Sequence, residues 1–135
     1  MPRESVFMIR SALLYLLIAV AAGSVLYLEN RLTAVEIGAG SLFVIHVYSA
    51  MYGWFLQMVM GAAFWIFPKY LEQPTRGNPY WIRSAIAGLT IGIPMVMAER
   101  LGLVPGGAGI WLIVISVLSM IGITTARVIS YGNRK

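Results

Sequence analysis

At 135 residues, with 59% hydrophobic and only 11% charged side chains, the chain is too apolar to be a water-soluble domain. Its formal net charge of +5 does not signal nucleic-acid binding, because the basic residues bracket apolar blocks instead of forming a patch or stripe. The absence of cysteine excludes disulfides, thiolate metal sites and covalent haem attachment through Cys-x-x-Cys-His.

The apolar residues fall into four blocks, Val6–Leu28, Ser41–Phe67, Trp81–Met97 and Ala108–Ile129. A hydrocarbon core takes about 20 helical residues to cross. A helix also satisfies its own backbone in lipid, whereas barrel strands of about 10 alternating residues are not seen. The pattern predicts an all-α, four-helix membrane bundle forming one domain over residues 1–135. The short connections predict antiparallel, up-down neighbours. The first block is longer than a signal-peptide core and is read as a retained span.

The second block, between loops Glu29–Gly40 and Lys69–Trp81, contains the single histidine, His46. An ionisable or metal-binding side chain at bilayer depth is costly and usually functional. Turning 100° per residue from His46 brings Ala50, Gly53, Gln57 and Phe64 to its face, with Ser49, Met60 and Gly61 flanking. Such a stripe lets two transmembrane helices approach closely, with Gln57 as an interhelical polar contact. It also places Gly53 two turns from His46, where a flat macrocycle could lie against the backbone. A neutral imidazole is a good ligand for haem iron or another transition metal such as copper.

In the third block Pro94 is expected to kink the helix unless neighbours compensate. The glycine-rich segment Glu99–Gly109 lacks the Lys-Ser/Thr and the preceding strand of a phosphate loop. Sorting charges by side places Arg3, Arg10, Lys69, Arg76, Arg83, Arg127, Arg134 and Lys135 against Arg31 and Arg100, eight to two. This bias puts both termini on the cytoplasmic side of an inner (plasma) membrane. His46 then lies four to six residues into its helix from the outer side, roughly 6–9 Å along the axis.

The series His46, Gly53, Gly61, Trp65 and Pro68, followed by PKYLEQPTRGNPYWIRSA, resembles a ligand helix and loop of the haem-copper oxidase subunit I superfamily, in particular its C-family oxidases and the NnrS-like proteins. The resemblance covers roughly Ile45 to Ala85. It implies a single four-helix arc, one third of the twelve-helix oxidase subunit, and a homotrimer that rebuilds the whole. It implies b-type haem bound through His46, supporting electron transfer with a redox partner, or NO or O2 binding. Haem propionates toward the outer side call for a cation, for which Arg100 and Arg31 are the candidates; both also serve as interfacial anchors beside Glu99, Glu29 or Glu36. The chain departs from the family in having no second histidine, which rules out a complete haem-copper centre in one protomer.

Two readings of other classes stand beside this one. A small transporter or channel has a similar length, but the five acids Glu4, Glu29, Glu36, Glu72 and Glu99 lie at span ends or in loops, which disfavours proton-coupled transport. In a non-catalytic scaffold subunit that binds no cofactor, His46 is a packing polar group.

Overall fold

A computed structural model of the chain describes residues 1–31, 38–67 and 78–132. Helix α1 spans Arg3–Arg31; α2 (Ala39–Tyr48), a π-helical segment (Ser49–Leu56) and α3 (Gln57–Ile66) run on as the second span; α4 covers Pro79–Arg100 and α5 Ala108–Gly132. Among the described residues there is no strand. Four helical stretches, Arg3–Glu29, Gly40–Ile66, Tyr80–Arg100 and Ala108–Ser130, are long and apolar enough to cross a membrane, as expected of a multi-pass membrane protein. Most of their surface is exposed and apolar, with Leu17, Ile66 and Ile115 among the large outward side chains. This is the surface hydrocarbon tails require.

The helices are longer than the apolar blocks. Polar residues read from sequence as loop, Glu29 to Arg31, Gly40, Glu99 and Arg100, extend the helix ends. Helix α2 therefore starts earlier than expected, and His46 is its eighth residue counted from Ala39, roughly 10 Å from the helix start. Helix α4 continues through Pro94. Its start is set by Asn78, whose Oδ1 accepts the Tyr80 N–H at 2.9 Å, with Pro79 at the first helical position.

Packing follows helical periodicity. Ser5, Met8, Ala12, Ala19 and Ala22 are buried along one face of α1, with half-buried Tyr15 in the same register. That face lies against the second span along its whole length. On α4, Ile82, Ala85, Leu89, Ile93 and Val96 are buried, and α5 is its most extensive neighbour. The backbones meet where Gly109 lies against Val96, so closely that a Cβ on Gly109 would sit 2.5 Å from the Val96 nitrogen. Glu99, expected beside Arg100, instead accepts the Gly109 N–H at 2.9 Å and caps the first turn of α5.

Arg127, read from sequence as one of the cytoplasmic charges, is fully buried. It shares a face of α5 with Ile113, Ser116, Met120 and Thr124. Its Nη2 donates to the Phe67 carbonyl at 2.5 Å and to the Phe64 carbonyl at 3.3 Å, and its guanidinium lies 5.0 Å from the Phe64 ring centroid. The reason is in the sequence: in an α-helix the Phe64 carbonyl would accept from residue 68, and Pro68 has no N–H. Arg127 supplies that donor from another helix and adds a positive charge at the negative end of α3. Replacing it by methionine should destabilise the bundle by about 2–3 kcal/mol, read as a lower midpoint for thermal loss of helicity in detergent. An unchanged midpoint would show that water satisfies those carbonyls.

Candidate functional site

The second span faces α1 through four contacts in step. Gly61 lies beside Met8 and Ile9, and Gln57 Oε1 accepts the Ser11 hydroxyl at 2.7 Å. Gly53 is covered by the Tyr15 ring, and His46 reaches the Ala19 backbone beside Gly23. The stripe read from sequence is thus buried within one chain: Ser49, Gly53, Gln57, Met60, Gly61 and Phe64 are all inside. The interhelical role expected for Gln57 is the one it has.

Gly53 sits differently from the sequence reading. The space its missing side chain leaves is filled by Tyr15, so closely that even a Cβ would overlap the ring. It lies within the π-helical segment Ser49–Leu56, which follows directly on the helix that carries His46. Regular π-helix is rare and is found disproportionately at functional sites. Nothing in the sequence pattern announces it, because the apolar residues on either side keep an ordinary helical spacing.

His46 stands at the end of this stripe, half-buried, where the helix pair opens into a groove. Its Nδ1 lies 2.8 Å from the Ala19 carbonyl oxygen. A carbonyl can only accept, so Nδ1 carries a proton, and in the neutral imidazole Nε2 then keeps its lone pair. A histidine whose second nitrogen donates to a backbone carbonyl is the usual arrangement of a metal ligand, since that bond fixes the tautomer and the ring plane. Gly23 makes it feasible: a Cβ there would lie 2.7 Å from His46 Nδ1 and 2.8 Å from Cε1.

The groove has a volume of about 710 Å³ and is lined by Val20, Gly23, Ser24, Leu26, Tyr27, Leu28 and His46. It is open on one side, and its apolar walls with few polar groups are of the kind found in small-molecule and cofactor sites. Ser24 donates its hydroxyl to the Val20 carbonyl of its own helix. Of the two cations considered for the outer end, Arg31 has the closer link to the groove: its guanidinium lies 5.5 Å from the ring centroid of Tyr27, a lining residue. Arg100, in the last turn of α4, is not part of the lining. Tyr48 and Tyr52 pair with each other, ring centroids 5.5 Å apart, and border a separate groove with Val47 and Met51.

Among the described residues, no three or more of His, Cys, Asp and Glu lie close enough together to hold an ion. A site of three or more such side chains from one chain is therefore not formed among the described residues, whereas a haem asks only for an axial ligand and an apolar slot. Pro68 and, in the second loop, Lys69, Glu72 and Arg76, together with Glu36 of the first loop and the tail residues Arg134 and Lys135, lie outside the described residues. Comparison of the chain with protein-family models, curated proteins and solved structures finds no match.

Proposed function

We propose that this chain is a membrane protein that binds b-type haem through His46 Nε2, in the groove between α1 and the second span. The observation that carries the reading is the His46 Nδ1–H to Ala19 carbonyl bond, which leaves the other nitrogen as a ligand at an apolar groove large enough for a cofactor. Haem held this way would supply one-electron chemistry, or an open iron position for NO or O2. The chain's own residues do three things. Ala19 and Gly23 set the imidazole plane, the side chains from Val20 to Leu28 supply an apolar wall, and Arg31 with Tyr27 offers a cation and a hydroxyl at the outer end.

The same reading has the four spans alternate in direction, with both termini cytoplasmic. Its support is the order of contacts, in which residues 8, 15 and 19 of α1 meet residues 61, 53 and 46 of the second span, together with the eight-to-two charge bias. Likeness to one arc of oxidase subunit I rests on the Ile45-to-Ala85 segment, and so does the homotrimer. The small-residue face needs no partner copy to bury it, because α1 already covers it. Cross-linking in native membranes tests the trimer: bands at three times the chain mass support it, and a monomer alone removes it.

The experiment that tests the haem assignment is the dithionite-reduced minus oxidised absorption spectrum of the purified protein, expressed with ample haem. Soret and alpha bands are the expected result, and CO binding then reports an open iron position. A colourless protein would leave His46 a structural residue of a membrane subunit.

Gly23→Ala probes the positioning of the ring. Its methyl displaces the imidazole from the Ala19 carbonyl, and haem affinity should fall about tenfold or more. Full haem occupancy at limiting haem would show that this hydrogen bond does not orient the ligand.

A further inference from the structure

At the opposite end of α1 from His46, a second groove of about 460 Å³ runs between α1 and α4. Its mouth holds Arg3, Glu4 and Arg83, and below them its walls are Phe7, Ile86, Ala87, Thr90 and Ile91. Arg83 is largely exposed, and Glu4 Oε1 approaches its Nε at 3.7 Å, too long for a hydrogen bond. Two guanidinium groups against one carboxylate leave the mouth net positive. Thr90 donates its hydroxyl to the Ile86 carbonyl at 2.8 Å, so the deep end offers no free donor. From Arg83 to Ile91 the groove follows α4 for eight residues, roughly 12 Å into the apolar part of the span.

We propose that this groove binds an anionic phospholipid, with its phosphate at Arg3 and Arg83 and one acyl chain lying along Phe7, Ala87 and Ile91. Charge selects the headgroup and the apolar wall selects the tail, an arrangement known for basic pockets between transmembrane helices on the cytoplasmic side. A free phosphate would have no use for the wall, and a second copy of this chain would have to bring an anionic residue to the mouth. The site is independent of His46 and of haem.

Native mass spectrometry of the full chain in detergent, titrated with phosphatidylglycerol or phosphatidylcholine of matched acyl chains, tests it. Each arginine should contribute about fivefold to phosphatidylglycerol affinity, with Glu4 opposing by a similar factor. A net preference of about fivefold over phosphatidylcholine is expected. Arg83→Gln and Arg3→Gln should each remove that preference, and Glu4→Gln should raise it about fivefold. Ala87→Trp fills the groove without touching the charges and should abolish tight phosphatidylglycerol binding. The proposal is overturned by binding that survives Ala87→Trp, by displacement of the lipid by glycerol phosphate at equal concentration, or by an oligomer that Ala87→Trp dissociates while lipid has no effect. A preference unmoved by both arginine substitutions would overturn it as well.

Discussion

His46→Ala should purify as a folded, colourless protein. The imidazole is half-buried, packs against Gly23 and makes one hydrogen bond, to Ala19. Losing such a bond costs about 1 kcal/mol, too little to unfold four spans. Haem affinity should fall by more than about 100-fold, since substitutions that only disturb a ligand's supporting partner already cost 10–100-fold. The ratio of haem to protein and the reduced-minus-oxidised spectrum measure this. The variant also leaves a cavity at Nε2, so added imidazole should restore the bands. A His46→Ala protein that keeps its haem would defeat the assignment, and a variant that loses helicity along with haem would make His46 a folding residue instead.

Gly53→Leu should have the largest effect on stability. From sequence alone, this substitution would block a macrocycle and weaken haem retention. In the folded chain its first collision is with Tyr15, whose ring occupies the space a Cβ would need. Neither can yield easily, because both lie between packed helices and the glycine sits inside the π-helical segment. Overpacking of this kind costs about 3 kcal/mol or more, and the thermal midpoint in detergent should drop accordingly. Tyr15→Ala alone leaves a void and is also destabilising. The double variant, however, should recover much of the loss, because leucine then fills the space the ring left. A favourable coupling energy of about 1–3 kcal/mol in that cycle is the expected signature. Strict additivity would mean the two residues do not meet. A Gly53→Leu protein of normal stability that has lost haem would return Gly53 to the cofactor.

The class of this protein could be read from its residues because the bilayer is an undemanding solvent to predict. Any stretch of about 20 apolar residues must be helical there, whatever its neighbours are. The same local rule marks His46 as costly and Gln57 as a polar group in want of a partner, which Ser11 provides. What no local rule supplies is which surface of one helix meets which surface of another. The room beside Gly53 could have belonged to a cofactor, a lipid or a neighbouring helix, and only the packed chain assigns it to Tyr15. The sequence showed Arg127 only as one charge among eight on one side; the packed chain shows α5 carrying it to the Phe64 and Phe67 carbonyls at the end of α3. Glu99 stood beside Arg100 in sequence but caps α5, because a carboxylate is drawn to unpaired N–H groups at a helix start. In the same way, the proton on His46 Nδ1 follows from a carbonyl 27 residues away in α1. Periodicity along one helix speaks for that helix alone; the ligand-ready tautomer, the covered glycine and the buried arginine arise from close approach between helices, where hydrogen-bond partners are chosen by distance in space.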